Sequence, residues 1–401
     1  MQNKYFAVFV GALGYFVDLF DIVLFNIYRV DSLKELGLSE EGVMTEGSKI
    51  LNAQLIGLLL GGIFFGVMGD KFGRKAALFA TIFTYSVTTA LCGLVTDVNT
   101  YLLLRLICGI ALAGELGAAV TLVTEQFSPK NRGWAATILT AFGISGVIFA
   151  AIIGHFLYWR HAYFLGAALG FALLFLRLRV KESDTYLQFK HLEHRGDFIK
   201  FFSSKKRLGK FLIFVALGMS VWIISGVLAS FSYEISAFIG LERIPVATAL
   251  IFSNTGLILG DFFWGAASQI LKSRKKAIFL SLLTTIILAV FYLINPPASK
   301  LGYLLMLTFI AIAATNWVVV ITSCAENFGT NYRALATTSL PNFIRGSAVI
   351  FIEIFKQASL AGYNKFVVPM LCLIICSSVA ILLLKLIPET FGKTMEFVEE
   401  D

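Results

Sequence analysis

Two aspartates lie close together in the first long apolar stretch of the chain. Asp18 and Asp21 are three positions apart, so a helix presents both on one face. A charged side chain within a membrane costs about 2.5–3.5 kcal/mol on insertion scales, so it usually faces a cavity or a partner. Neighbouring carboxylates raise each other's proton affinity, and burial adds to this effect. We therefore predict that the pair takes part in proton coupling.

Two further charged residues, Arg105 and Glu115, lie in the fourth apolar stretch. With a rise of about 1.5 Å per residue, Arg105 comes to a depth similar to that of Asp21. Either Asp21 carries the proton, with Asp18 as modulator and Arg105 as counter-charge, or Asp21 and Arg105 form a permanent ion pair. Glu115 either couples or gates, or it pairs with a group of the second or fifth stretch.

Another set of polar and aromatic residues falls in the second half of the chain. Arg345 lies near the middle of its apolar stretch, and its planar guanidinium suits a carboxylate or a phosphate. It either binds substrate or bridges to Asp261 or Glu353. The aromatic members of the set also fit simple packing. The predicted substrate-binding residues are Trp222, Tyr233, Glu234, Asn254, Asp261, Asn316, Trp317, Asn342 and Arg345.

The composition excludes a soluble protein. The chain has 401 residues, of which 58% are hydrophobic, and a mean hydropathy of +0.81. A spanning helix needs about 20 apolar residues, so the chain predicts an all-α membrane protein with twelve transmembrane helices. The predicted spans are 5–28, 50–68, 76–95, 101–126, 133–156, 162–178, 211–235, 246–270, 277–294, 301–325, 335–355 and 366–386.

The charged loops predict how the chain is organised in the membrane. Cations concentrate in alternate loops, as on cytoplasmic faces, so the net charge of +8 does not indicate nucleic acid binding. The acidic loop 31–46 then lies outside, and both termini are cytoplasmic, in an inner (plasma) membrane. We predict a six-helix bundle over 1–178, a cytoplasmic linker over 179–210, a second six-helix bundle over 211–387 and a cytoplasmic tail over 388–401.

A weak internal repeat supports two pseudo-symmetric halves. A Glu-x-Phe pattern with a following arginine ends the fourth span and recurs at the end of the tenth. The joint between spans two and three recurs less well, because Ile270 stands where the first half has Asp70. The matching residues are Glu125, Phe127 and Arg132 with Glu326, Phe328 and Arg333, and Arg74 and Lys75 with Arg274 and Lys275.

The segment 66–75 reads Gly-x-x-x-Asp-x-x-Gly-Arg-Lys and resembles the loop signature of the major facilitator superfamily. Residues 61–75 are similar to its metabolite:proton symporters, which carry proline, betaine and small carboxylates. Arg105, Gly109, Glu115 and Pro129 match that branch in the fourth span. The resemblance implies the major facilitator fold, alternating access and a gating latch. The latch residues are Gly69, Asp70, Gly73, Arg74 and Lys75.

Two departures from the branch pattern bear on the substrate. Leu58 stands where the branch usually has an arginine, which argues against a doubly charged carboxylate. The first span has Asp18-Leu19-Phe20-Asp21 in place of Glu-Trp-Phe-Asp, and this acidic pair is similar to that of phosphate:proton symporters.

The predicted function is proton-coupled uptake of a small polar organic metabolite, either a zwitterion such as an amino acid or betaine, or a small organic acid. The alternatives are a phosphate:proton symporter, a proton-driven efflux carrier, and a non-transporting membrane sensor. No Walker loop or nucleophile elbow is present, so we predict neither an enzyme nor a cofactor. His191 and His194 are assigned to a solvated helix face, and no metal site is expected. The expected partners are the substrate, protons and lipid, with no nucleic acid, around a monomer.

Overall fold

The computed structural model describes residues 4–72, 74–113, 132–178, 198–329, 332–392 and 399, and these residues form helices and no strands. The first bundle contains α1 (Lys4–Glu35), α2 (Glu40–Phe72), α3 (Arg74–Cys92), α4 (Val98–Leu112), α5 (Arg132–Ile153) and α6 (Trp159–Leu178). The second contains α7 (Phe198–Ser203), α8 (Lys205–Ile223), a π-helical segment (Ile224–Ala229), α9 (Ser232–Phe238), α10 (Val246–Ile270), α11 (Arg274–Ile294), α12 (Lys300–Ala314), α13 (Trp317–Asn327), α14 (Arg333–Leu360) and α15 (Val367–Leu384).

The outer surface of these helices is apolar. Seven stretches among the described residues are long and apolar enough to cross a membrane, and three shorter helices are also apolar. Large side chains such as Phe175, Ile287 and Ile375 are more than half exposed on this surface. Exposed apolar area of this extent suits contact with lipid tails. The lipid interior offers no water to the backbone N–H and C=O groups. A helix suits this environment because its backbone hydrogen bonds form within one segment.

Each bundle is held together by close helix pairs. In the first bundle α1 packs on α5, α2 on α4 and α3 on α6, and in the second α10 packs on α12 and α11 on α15. Glycines allow the closest of these contacts. A Cβ at Gly61 would lie 2.0 Å from the carbonyl oxygen of Ile110, and one at Gly109 would lie 2.1 Å from that of Gln54. Small residues let the α2 and α4 backbones touch, as is common where lipid gives no hydrophobic drive.

The two most extensive helix contacts between the bundles obey the pseudo-symmetry. The second span, α2, packs on the eleventh, α14, and the fifth, α5, packs on the eighth, α10. Span two of the first bundle corresponds to span eight of the second, and span five corresponds to span eleven. The two contacts are therefore equivalent under the pseudo-symmetry. The two bundles therefore face each other across these four helices, and the space between them is the natural place for a substrate site.

The first two spans are longer than predicted. α1 continues to Glu35 and α2 begins at Glu40, so most of the expected polar loop 29–49 is helical. Tertiary partners stabilise the polar end of α1, because the Arg29 side chain is buried and Tyr158 and Trp159 donate hydrogen bonds to Glu35. The joint predicted over 69–75 is also shorter, since α2 ends at residue 72 and α3 begins at residue 74.

Two spans predicted as continuous are broken. The seventh passes from α8 through the π-helical segment to α9, and the tenth breaks between α12 and α13 at Thr315 and Asn316. π-helical turns are frequent at functional sites. Broken helices at membrane depth are tolerated where they line a cavity. Both breaks lie beside the central cavity described below.

Candidate functional site

A cavity of about 90 Å³ lies between the two bundles. One water needs about 10–15 Å³ on this measure, so the cavity holds several waters or a small metabolite. Its wall is mostly apolar with a few polar groups, as expected of a small-molecule site. The polar and aromatic lining residues are Tyr15, Asn26, Gln54, Trp222, Ser225, Ser230, Asn254, Asp261, Thr315, Trp317 and Arg345.

Arg345, on α14, presents a cation to this cavity. Its side chain is buried, and its Nη2 donates a hydrogen bond to the Tyr15 hydroxyl at 3.4 Å. Among the described residues, its Nε and Nη1 have no hydrogen-bond partner. A buried guanidinium without an acceptor is costly, so a ligand that supplies one gains strongly. Each free nitrogen forms a two-donor fork with Nη2, whose own bond to Tyr15 is long, and such a fork matches a carboxylate. The predicted bridges from Arg345 to Asp261 or Glu353 do not form within the described residues, and Glu353 pairs with Lys356 at 2.6 Å instead.

Asp261, on α10, presents an anion to the same cavity. Its Oδ1 accepts a hydrogen bond from the backbone N–H of Val318 at 3.3 Å, in the first turn of α13. Its Oδ2 is buried, with no hydrogen-bond partner among the described residues. The break before Trp317 brings the positive end of the α13 dipole to this carboxylate. Asp261 is thus held at the cavity wall by one long hydrogen bond.

The predicted substrate-binding residues divide into two groups. Trp222, Asn254, Asp261, Trp317 and Arg345 line the cavity. The other four do not lie in its wall: they are Asn316, Asn342, Tyr233 and Glu234.

Asn316 and Asn342 are both buried away from the cavity wall. Asn342 donates a hydrogen bond to the carbonyl oxygen of Ala113 at 3.2 Å, so it joins α14 to the end of α4 across the bundles. The side-chain polar atoms of Asn316, at the helix break, have no partner among the described residues.

The sequence reasoning missed several polar residues of the cavity wall. Tyr15 and Asn26 share one face of α1 with three apolar residues of the wall, and Gln54 faces them from α2. Successive residues of a helix are about 100° apart, so Asp21 lies about 140° from the centre of the Tyr15–Asn26 face. One signal in the sequence could have indicated this face. Polar residues recur at positions 15 and 26, on the same side of the helix as residues 19 and 22.

Asp21 and Arg105 lie in a separate, closed network inside the first bundle. Arg105 Nη1 lies 3.2 Å from Asp21 Oδ1, and Arg105 Nη2 donates to the Asp21 carbonyl oxygen at 2.9 Å. Thr89 Oγ1 and Cys108 Sγ donate to Asp21 Oδ2 at 2.5 and 3.3 Å. The network joins α1, α3 and α4, and neither charged residue belongs to the cavity wall. The geometry is that of a buried ion pair, while the proton-carrying role of Asp21 stays a prediction.

The remaining predicted groups are placed less fully. Asp18 is completely buried on α1 and is not part of the cavity wall. Glu115 lies outside the described residues, as does Gly73 of the predicted latch. Gly69 and Asp70 belong to the last turn of α2, and Arg74 and Lys75 to the first turn of α3. The contacts of these latch side chains lie outside what the structure describes, as do His191 and His194.

The end of the cavity near the α1–α2 loop is closed by ion pairs between the bundles. Arg29 Nη2 binds Glu234 Oε1 at 2.6 Å and the Ser230 carbonyl oxygen at 3.2 Å. Nearer the surface, Arg243 Nη1 binds Glu40 Oε1 at 2.6 Å. We call this group the loop-end cluster: Arg29, Glu40, Ser230, Glu234 and Arg243. Glu234 therefore closes the cavity instead of lining it, and the Tyr233 hydroxyl accepts a hydrogen bond from Arg243.

We expect Glu234→Gln to open the loop end of the cavity. The substitution removes the anion that neutralises buried Arg29, whereas the exposed Arg243–Glu40 pair contributes little. A cysteine at position 26, in a background without other cysteines, should then react several-fold faster with a membrane-impermeant thiol reagent. Glu40→Gln is the matched control and should change the rate much less. Equal rates for both variants and the parent would show that Arg29–Glu234 does not hold this end closed.

At the opposite end, the second bundle has its own charge network. Arg274 binds Glu326 at 3.1 Å, so two residues of the sequence repeat form an ion pair. Burial alone would raise the pKa of Glu389, but donors from Ser273 and from the backbone of Phe391, Arg274 and Lys275 lower it to about 2. Residue 270 lacks the acid that Asp70 provides in the first half. A glutamate of the tail provides one at this joint instead.

Comparison with known proteins agrees with these features. The family model of the Major Facilitator Superfamily matches residues 11–362. The sialic acid transporter NanX of Escherichia coli K12 is 30% identical over 291 residues, covering 70% of this chain and 69% of that protein. The putative niacin/nicotinamide transporter NiaP of Bacillus subtilis is 32% identical over 181 residues, covering 44% of each. A proline/betaine transporter of Escherichia coli K12 is 27% identical over 213 residues, covering 48% of this chain and 43% of that protein.

The match to solved structures concerns the fold. A crystal structure of a D-xylose-proton symporter superposes with a TM-score of 0.73 at 18% identity, covering 98% of this chain and 100% of that one. The chain spans less than half the length of the niacin and proline/betaine relatives that it matches. It is an integral membrane transporter and not an enzyme, with twelve transmembrane helices in two pseudo-symmetric six-helix bundles. The chain belongs to the major facilitator superfamily.

Proposed function

We propose that this transporter takes up a small organic metabolite with one carboxylate, together with protons, by alternating access. The observation that carries the proposal is the fork of Arg345, which faces the cavity with two donor nitrogens that lack a partner among the described residues. A bound carboxylate would accept hydrogen bonds from one of these nitrogens and from the adjacent Nη2, and it would neutralise the buried charge.

The relatives' substrates support this substrate class. Four substrates in these relatives' names, sialic acid, niacin, proline and betaine, have one carboxylate each, whereas nicotinamide has an amide in its place. Arg345 is the single cation in the described part of the cavity wall, which suits one negative charge. The aromatic faces of Trp222 and Trp317 add flat apolar walls beside it. The variable part of the substrate would pack against these walls.

The remaining sequence-based expectations become part of the same proposal. The protein lies in the plasma (inner) membrane with both termini in the cytoplasm, so the loop-end cluster is the outer gate. The two bundles, with the boundaries predicted from the sequence, rock about the cavity to expose it to either side. One chain supplies every wall of the cavity that the structure describes, so we propose a monomer as the functional unit.

A binding screen tests the substrate class. A ligand that binds only the folded protein raises its melting temperature. We expect sialic acid, nicotinate, proline or betaine to raise the melting temperature of the purified protein, and nicotinamide, the neutral match of nicotinate, to have no effect. Stabilisation by phosphate alone would favour the phosphate carrier, and stabilisation by nicotinamide as strong as by nicotinate would refute a carboxylate site.

A further inference from the structure

We propose that Asp261 carries the coupling proton and that the substrate carboxylate itself drives its protonation. The inference rests on the proposed function, because it needs a carboxylate at Arg345. It assigns proton coupling to the second bundle instead of to the acidic pair of α1 that the sequence suggested.

The first step is the charge of the cavity. Asp261 and Arg345 are the charged side chains in the described cavity wall, and Tyr15 is its third titratable group. With both ionised, the empty cavity is neutral. A carboxylate ligand of net charge −1, such as sialic acid or nicotinate, makes the charge of the cavity −1 when it binds at Arg345, and one proton on Asp261 makes the cavity neutral again. In a confined site of low polarity, neutrality is strongly favoured.

The second step is the local environment of each acid. Asp21 is surrounded by donors from Arg105, Thr89 and Cys108, all of which stabilise its charged form. Asp261 has the Val318 N–H at 3.3 Å and an Oδ2 with no partner among the described residues. It forms no ion pair with Arg345. Protonation of Asp261 at its free Oδ2 therefore leaves this long hydrogen bond in place, whereas protonation of Asp21 breaks up an ion pair.

The third step concerns the neighbours of Asp261. α10 packs on α1, α5, α9, α11, α12, α13 and the π-helical segment. From α1, Tyr15 faces the cavity, and from across it Arg345 of α14 does so. The described parts of the other elements add no titratable side chain to the cavity wall: they contribute Ile144, Val147, Ser225, Gly226, Thr315 and Trp317 or nothing. Within the described cavity wall, Arg345 and Tyr15 are thus the titratable side chains that face Asp261, together with whatever Arg345 binds.

Thermodynamic linkage gives the transport consequence. A carboxylate that raises the proton affinity of Asp261 is itself bound more tightly, by the same factor, when Asp261 is protonated. The fully loaded and the empty cavity are both neutral, while the two half-loaded states are charged. A neutral cavity crosses the occluded state at lower cost, since a buried unpaired charge is expensive. Proton and carboxylate therefore move together.

The decisive comparison is between Asp261→Asn and Asp21→Asn in proteoliposomes. We use sialic acid or nicotinate, whichever the binding screen identifies, because these carboxylates have a net charge of −1, whereas proline and betaine are zwitterions of zero net charge. For the wild-type protein, affinity should rise as the pH falls, by up to about tenfold per pH unit between the pKa of the coupling acid in the free protein and its higher pKa in the bound protein, as one linked proton requires. Asp261→Asn mimics the protonated acid. This variant should bind the carboxylate tightly at every pH and should still exchange substrate across the membrane. It should no longer accumulate substrate when a proton gradient is applied.

The controls separate folding from coupling. Asp261→Glu keeps a titratable group and should keep pH-dependent binding, and the melting temperature of each variant reports folding. Asp21→Asn should retain the pH dependence. The inference fails if Asp261→Asn still accumulates substrate, if it no longer binds the carboxylate, or if Asp21→Asn alone removes the pH dependence. The inference also fails if the wild-type protein binds only the zwitterions proline and betaine. If it binds none of the four carboxylates, the proposed function fails instead.

Discussion

Arg345→Gln should abolish transport by removing the carboxylate anchor. Loss of one partner of a buried, hydrogen-bonded charge pair costs about 2–5 kcal/mol. Since about 1.4 kcal/mol is tenfold in affinity, the Kd for the carboxylate should rise at least 30-fold, to beyond detection for a weak ligand. Arg345→Lys keeps the charge without the planar fork and should give an intermediate loss. Titration of the purified variants with the carboxylate found in the screen measures both effects.

Lys356→Gln is the matched control for Arg345→Gln. Lys356 lies on the same helix, α14, but pairs with Glu353 at 2.6 Å and is not part of the cavity wall. Its replacement should leave the Kd within about twofold, because exposed or partly exposed pairs contribute little. If Arg345→Gln bound the carboxylate as well as this control, the anchor would have to lie elsewhere.

Arg105→Met should destabilise the protein strongly without changing substrate selectivity. It leaves the Asp21 carboxylate buried with Thr89 and Cys108 but without its cation. Removing one partner of a buried ion pair costs about 3–5 kcal/mol, whereas replacing both by apolar residues is often neutral. We therefore expect a large fall in melting temperature for Arg105→Met and a substantial recovery in Arg105→Met/Asp21→Leu.

The double-mutant cycle makes this second prediction quantitative. If Arg105 and Asp21 act as one structural pair, their effects on the unfolding free energy are far from additive. Losses that simply add would mean that the two residues act independently. A normal melting temperature for Arg105→Met would show that the network of α1, α3 and α4 does not depend on its cation.

Much of the fold follows from hydropathy and loop charge, but the ends of the helices do not. The repetition of apolar stretches with charged ends, twelve in the sequence, reports where lipid lies, because each charge avoids the membrane unless it has a partner. Arg29 and Glu35 remain helical because Glu234 and the Tyr158–Trp159 pair bind them from distant parts of the chain. Hydropathy of the local sequence contains no information about such partners.

The candidate site was predictable in part for the same physical reason. Arg345 and Asp261 are conspicuous in sequence, since a charge in a membrane span has a high cost. An uncharged polar side chain does not have the high cost of a charge in a membrane span. In the sequence, therefore, Tyr15, Asn26 and Gln54 look like ordinary helix residues. Which face of α1 meets the cavity depends on how α1 packs on α5, and this rotation separates Asp21 from the cavity wall. No proline or glycine stands next to the helix break at Thr315, so nothing in the local sequence predicts it.

The central claim is that a proton gradient drives carboxylate uptake through this protein, and one flux measurement tests it directly. Wild-type protein is reconstituted into liposomes that are alkaline inside and acidic outside, and the radiolabelled carboxylate identified in the binding screen is added outside. The account predicts accumulation inside to a concentration above that outside, and its collapse when a protonophore removes the gradient. Internal and external concentrations that become equal with or without the gradient would contradict it.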